Sequence, residues 1–274
     1  MSAVGNISRA RRFDVKITIL QMPVVIGGRE ENLASLRRMM AQAAAEKPDV
    51  VLLPELWDIG FFPRPMEQYG DPEGQTAQEA LSALAAAYGV NIVGGSVAAA
   101  GTEGVANRCF VYDREGHLTA SYDKTHLFSA GGEGQVFAPG EQVTIFTLDG
   151  VRCAVIICYD LRFPELVRRL AREDISVLFL PAQWPTVREM HWRVLTQARA
   201  IENQIFLAAA NGSGAFANGL PLAGRSVILD PGGERLAEAA DGETILTADC
   251  DLTVREKIRR EINVFADRRP DLYG

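Results

Sequence analysis

The sequence predicts one mixed α/β domain built as a layered sandwich. Short β-branched apolar runs alternate with longer amphipathic segments along the chain, the mark of strands and helices that share a core. In 107–123 and 143–157, strand-like runs follow one another with no helix between them. Antiparallel pairs are therefore needed, and a wholly parallel Rossmann or TIM arrangement fits poorly. No Ser/Gly linker, charge block or repeat divides the 274 residues, so the chain reads as a single domain.

In order, the predicted strands are KITILQ, DVVLLP, VNIVGGSV, CFVYD, VTIFTL, VRCAVIIC, SVLFLP, QIFLAAA, RSVILD and TILTADC. Helices are expected over 30–45, 76–88, 164–171 and 188–203, the third opened by a proline suited to a first helical turn. DREG, LDG and DPGG read as hairpin turns. The alanine-rich tracts AQAAAEK and LSALAAAYG are good helix formers for close packing on a sheet. The C-terminal REKIRREINVFADRRPDLYG reads either as a free, disordered tail or as a tail that packs across a partner subunit.

Hydrophobic residues at 47% and charged residues at 23% are ordinary for a globular protein and exclude a largely disordered chain. A net charge of -7 argues against nucleic acid as a partner, since phosphate recognition needs a concentrated basic face, and favours a small molecule. Four scattered cysteines and three histidines show no metal-binding spacing. Residues 1–12 read as a flexible N-terminal segment, with the domain over 13–274. Lys16 and Gln21 break the first apolar stretch, so it is neither a secretory core nor a membrane span. The expectation is a cytoplasmic protein with reduced thiols.

Cys109, Cys153 and Cys250 lie inside predicted strands and read as small core residues. Cys158 ends VRCAVIIC ahead of the helix at 164, which puts its thiol at a strand-to-helix turn. Free N–H groups and a helix dipole there would favour thiolate and a developing oxyanion. Histidine is the usual proton acceptor for a thiol, but His117 falls in a turn, His191 within a helix and His126 in the basic segment KTHLF. Two other strand ends offer partners. Glu55 follows Pro54 beside Trp57, Phe61 and Phe62, a setting whose burial would raise its pKa toward that of a general base, against the ordinary reading of a surface glutamate. Lys124 follows the strand before DKTHLF, where a solvated turn lysine is the commoner case.

Taken together, LLPELW, DKTHLF and ICYDLRFPEL resemble the glutamate, lysine and cysteine motifs of the nitrilase, or carbon-nitrogen hydrolase, superfamily. GEGQVFAPG is similar to the segment that carries the family's second, supporting glutamate, at Glu133. The likeness runs on through AQWP, the HW helix and GRSVILDPGGERLAE, in order, over nearly the whole chain. It implies a four-layer α-β-β-α sandwich, pairing of subunits into a homodimer or higher homo-oligomer through the layer bearing the cysteine, and catalysis by Glu55, Lys124, Cys158 and Glu133 without a cofactor. The implied reaction is thiol-dependent hydrolysis of a small amide, with the N–H of Tyr159 helping Lys124 to hold the oxyanion.

Within the superfamily the chain most resembles the ω-amidases, which act on side-chain amides of 2-oxo acids, including bacterial members linked to methionine salvage. N-carbamoyl-amine hydrolases and nitrilases use the same Glu-Lys-Cys set and remain alternatives, as does a non-catalytic binding module. Phe61 and Trp184 are expected to line the pocket, while core packing is the commoner fate for Trp57 and Phe62. Gln183 replaces the glutamate of several relatives and is expected to change the charge of the pocket rim. Asp160 and Arg162 are expected to brace the elbow, Arg162 alternatively reaching a substrate carboxylate.

Overall fold

The computed structural model describes residues 14–61, 63–102 and 104–273; the segment 1–12 and Phe62, both subjects of expectations above, lie outside them. The first half of the chain contributes β1 (Asp14–Gln21), α1 (Arg29–Ala43), β2 (Val50–Leu52), β3 (Asp71–Pro72), α2 (Gln75–Tyr88), β4 (Asn91–Val93), β5 (Val97–Gly101), β6 (Gly104–Tyr112), β7 (Leu118–Asp123) and β8 (Phe137–Ala138). The second half contributes β9 (Ile145–Leu148), β10 (Val151–Val155), α3 (Pro164–Ala171), β11 (Val177–Ala182), α4 (Glu189–Asn203), β12 (Phe206–Asn211), β13 (Val227–Leu229), β14 (Arg235–Glu238), β15 (Thr244–Asp251), α5 (Thr253–Glu261) and α6 (Pro270–Tyr273).

Among the described residues these strands make two sheets. One runs β15-β1-β2-β4-β6-β5-β3, with β7 and β8 also paired to β6; the other runs β14-β13-β12-β11-β10-β9. The two helix-free stretches form antiparallel pairs, β6 with β7 and β9 with β10. Parallel pairs β1–β2, β2–β4, β10–β11 and β11–β12 supply the rest of each sheet's centre.

Side-chain alternation makes the layers. Val50 and Leu52 of β2 join Ile17, Ile19, Val155 and Phe179 in the core between the sheets, while Val51 points the other way to Leu36, Met39 and Met40 of α1 and Leu81 of α2. Both faces of these short strands are buried, which is why they read as unbroken apolar runs. On the far side, Val167 and Leu170 of α3 and Trp192 and Ala200 of α4 cover the second sheet. The order is α-β-β-α. A one-residue slip of β1 against β15, its partner over all eight residues, would invert the two faces, so the register is strongly specified.

Three boundaries differ from the sequence reading in ways that shape the site. VNIVGGSV splits at Gly94–Gly95 into β4 and β5. Gly95 has φ 62°, and a Cβ there would stand 2.0 Å from the Pro54 carbonyl oxygen; only glycine lets the Glu55 turn pass this closely. VRCAVIIC leaves the sheet at Val155, and Cys158 opens a 3-10 turn that continues to Arg162. The C-terminal tail is neither free nor extended: α5 docks on its own chain through ion pairs of Arg255 and Arg259 with Asp174. Phe265 then lies beneath the guanidinium groups of Arg168 and Arg259. No helix among the described residues is long and apolar enough to cross a membrane.

Candidate active site

Four segments, far apart in sequence, meet at one end of the sandwich. Glu55 leaves β2 in a turn pinned by Leu56 N–H to Ser96 Oγ (3.0 Å), Trp57 N–H to the Ser96 carbonyl (3.1 Å) and Trp57 Nε1 to the Gly94 carbonyl (2.8 Å). Leu56 is held there at φ 43°, a left-handed conformation that an L residue keeps only when its surroundings impose it. Lys124 follows β7, its N–H bonded to the Asn107 carbonyl at 3.0 Å and its carbonyl to Gly140 N–H at 2.9 Å. Glu133 starts a 3-10 turn. Cys158 sits at the elbow with φ 47°.

Glu55, Lys124 and Glu133 are fully buried. Lys124 Nζ donates to Glu55 Oε1 at 2.7 Å and to Glu133 Oε1 and Oε2 at 3.0 and 2.9 Å. Glu133 Oε2 also accepts the Phe128 N–H at 2.6 Å, so the short glycine-rich segment does deliver this carboxylate to the lysine. The Cys158 thiol donates to the Gln183 carbonyl at 3.9 Å, on the residue whose backbone N–H holds Glu55 Oε2.

Electrostatics follow from burying two carboxylates with one ammonium. Burial raises the Glu55 pKa, opposed by Lys124 and reinforced by Glu133. Burial alone would lower that of Lys124, but Glu55 and Glu133 together hold it above its ordinary value. The Cys158 thiol is pushed well up by burial first and by Glu55 second, with Lys124 opposing. A dipole-stabilised resting thiolate, expected from the strand-to-helix turn, is therefore not what this elbow provides: a 3-10 turn separates Cys158 from α3, and desolvation outweighs the local cation.

Asp160 braces the elbow as expected. It accepts the Ile157 N–H (2.9 Å), the Tyr122 hydroxyl (2.7 Å), the Thr125 hydroxyl (3.3 Å) and the His126 N–H (2.9 Å), and contacts His126 Nδ1 at 2.8 Å. Residues 122–126 carry Lys124, so this one carboxylate ties the lysine turn to the cysteine turn. His126 is spent in the brace, stacked on Phe163 at 3.6 Å. Among the described residues no histidine lines the pocket.

Lys124 and Cys158 form the floor of a cleft of about 680 Å³. Phe61, Phe128, Tyr159, Trp184 and Phe216 supply aromatic wall, and Phe61 packs edge-on against Phe216 at 5.1 Å. Phe61 and Trp184 thus line the pocket, whereas Trp57 is core. Arg64, Arg162 and Arg188 also line it, and among the described residues no aspartate or glutamate does. Arg162 lies 4.7 Å over the Trp184 ring and 3.4 Å from His191 Nδ1. Burial and the neighbouring Arg188 lower its pKa, as expected of two cations facing one space.

Gln183 corrects an expectation. It does line the pocket, but at its buried base and not its rim: it is 3% exposed, and its Nε2 donates to the Glu55 carbonyl at 2.7 Å while its backbone N–H donates to Glu55 Oε2 at 2.9 Å. Asn107 and Arg188 were not singled out from the sequence. Asn107 left one signal, a polar residue on the face of β6 that also carries Cys109 and Val111. Arg188 left none, since a basic residue ahead of a helix is ordinarily solvated.

A sandwich whose strand ends gather a thiol, two carboxylates and a buried lysine beneath one pocket has the layout of a hydrolytic enzyme with a thiol at its centre. The carbon-nitrogen hydrolase family model matches residues 16–260, and the chain belongs to that family. It is 39% identical over 257 residues to the 2-oxoglutaramate amidase of Bacillus subtilis (strain 168), an alignment covering 94% of this chain and 98% of the relative. Its fold matches a CN-hydrolase superfamily protein of Xanthomonas campestris with an arsenic adduct in the active site, at TM-score 0.88 and 30% identity over 93% of this chain and 97% of that one. It also matches a mutant amidase from Nesterenkonia sp. AN1 showing Michael addition of acrylamide at the active site cysteine, at TM-score 0.81 and 27% identity, with 91% and 98% covered.

Proposed function

We propose that the protein is an ω-amidase that hydrolyses the terminal amide of a small 2-oxo acid, a 2-oxoglutaramate-like substrate, to ammonia and a dicarboxylate, and that two copies pair. The observation that carries the substrate class is the pocket wall: Arg162 and Arg188 face the cleft together, and among the described residues no carboxylate lines it. Unneutralised guanidinium groups on an aromatic wall suit a ligand that brings its own carboxylate. The likeness to an amidase of that substrate points the same way.

In this reading Glu55 takes the proton of Cys158 as the sulfur attacks the amide carbon. The carbonyl oxygen becomes an oxyanion, held by the Lys124 ammonium and the Tyr159 N–H. The proton on Glu55 passes to the departing nitrogen, ammonia leaves, and a thioester remains. Glu55 then takes a proton from water, whose oxygen attacks the thioester carbon; the acid leaves and the thiol is restored. Glu133 keeps Lys124 charged and aimed.

The test is ammonia release from 2-oxoglutaramate, glutamine, a carbamoyl-β-amino acid and a simple nitrile, beside C158A and a double variant R162M/R188M. Turnover of the oxo-acid amide, lost in C158A and reduced in R162M/R188M through KM, is the expected result. Turnover of the carbamoyl compound or the nitrile alone would overturn the substrate and keep the thiol chemistry.

A further inference from the structure

We propose that Asn107 is a positioning residue that holds both buried carboxylates and fixes which oxygen of Glu55 exchanges a proton with the thiol. The inference deepens the mechanism above and rests on Glu55 being the base. Asn107 is fully buried on β6. Its Nδ2 donates to Glu55 Oε1 at 2.9 Å and to Glu133 Oε1 at 3.1 Å, and its carbonyl accepts the Lys124 N–H at 3.0 Å. One residue thus touches three of the four groups that meet in the site.

The amide's orientation follows from its neighbours, because the opposite flip would set a carbonyl oxygen against two carboxylates. Asn107 Oδ1 has no partner. A buried acceptor left unpaired is a loss that an apolar residue of the same shape would not carry, so it is the donor half of the amide that the site uses.

The groups facing Glu55 then account for its oxygens. Oε1 accepts from Lys124 Nζ, at the end of β7, and from Asn107 on β6; Oε2 accepts from the Gln183 N–H, after β11. Glu133 faces it across Lys124, and Cys158, whose thiol donates to the Gln183 carbonyl at 3.9 Å at rest, is the group whose proton Glu55 takes in the mechanism above. A carboxylate has about four lone-pair directions. With Oε1 filled twice and Oε2 once, the remaining direction is on Oε2 and is left for the proton that Glu55 takes from the thiol in that mechanism. Without Asn107, Oε1 becomes a second place for that proton, one from which the departing nitrogen is not served.

The experiment compares wild type with N107D, N107A and N107S. N107D keeps the shape and leaves at most one donor, present only when the new carboxyl is protonated, N107A removes the side-chain polar group, and N107S leaves a small hydroxyl and room for water. Melting temperature, kcat and KM are measured, together with the pH dependence of kcat/KM and of Cys158 alkylation by iodoacetamide. Since Asn107 does not line the pocket, KM should stay within about threefold while kcat falls by about tenfold to a hundredfold. The acid midpoint of both pH profiles should rise by about one unit in N107A, because a lost donor disfavours the carboxylate, and further in N107D. An unmoved midpoint in a variant that melts like wild type would overturn the proposal. So would failure of all three variants to fold, which would assign Asn107 to the scaffold. If the wild type releases no ammonia from any substrate, the mechanism falls, while the alkylation profiles still decide the role of Asn107.

Discussion

Gln183 reaches Glu55 twice, through its backbone N–H and through its side chain, and the second contact needs a donor. In Q183E the new carboxyl would face the Glu55 and Leu56 carbonyls, which Gln183 Nε2 now approaches at 2.7 and 3.4 Å. Only its protonated form can donate to them. Its folded pKa should therefore exceed the unfolded value of about 4.3, so the stability of Q183E is intact at low pH and declines as pH rises through the folded pKa. A melting series from pH 5 to 8 should show the gap to wild type widening, to about 1–3 kcal/mol near neutrality; a gap independent of pH would exclude this account. Lys124 gives the complementary case. K124M strands two buried carboxylates, which should cost about 3–5 kcal/mol of stability in denaturant titrations. Turnover should fall about a hundredfold to a thousandfold, and a kcat within tenfold of wild type would remove Lys124 from oxyanion stabilisation.

At the scale of the element, the Glu55 turn runs on into a loop that packs as its own small cluster, with Leu56, Ile59 and Met66 against Ala98 and Phe137. Asp58 lies buried in it, 3.4 Å from Arg29 Nη2, with Oδ1 unpartnered. Burial lifts its pKa to about 7 against the opposition of Arg29. Asp58 therefore holds a proton in the folded chain that the unfolded chain has released above about pH 4, and its contribution to stability falls as pH rises from there through about 7. D58N should remove that slope: equal to wild type near pH 4, higher-melting at pH 8, with wild-type behaviour at both as the contrary result. Such turns mark the limit of what the sequence disclosed. The strands KITILQ, SVLFLP and QIFLAAA and the helix at 164–171 were legible because burial on both faces and a proline at a first turn leave local patterns. Glu55, Lys124 and Cys158 stood out through their motifs. The 3-10 turn at Cys158, the break at Gly95 and β14 depend on what the chain meets in space. Their local sequences gave no period to read, and α5 passed for tail because a helix this charged has its apolar stripe reduced to a few residues.

At the scale of the whole molecule, one side of α4 carries exposed apolar side chains among the described residues. Met190 and Val194, four residues apart, and Ile201, seven further on, share one side of α4 and are 64%, 55% and 47% exposed, with Val187 just ahead of them at 69%. Single exposed apolar residues need no explanation, but a stripe along a helix does. The opposite side of α4 buries Trp192, Thr196, Arg199 and Ala200, so the stripe is not a core face turned outward by a register error. Self-association of this layer in the two-fold manner usual for homo-oligomers would cover the stripe with its own copy. It would also set the partner close to the pocket, since Trp184, Pro185 and Arg188 line the cleft immediately before α4 begins. Size-exclusion chromatography with light scattering should give about twice the 29.8 kDa chain mass. M190E/V194E places like charges at the centre of the contact and should give the single-chain mass with an unchanged circular dichroism spectrum. A wild type that runs as one chain at micromolar concentration would end the pairing proposal and leave the chemistry of a single chain untouched, because every group assigned to the reaction comes from one copy.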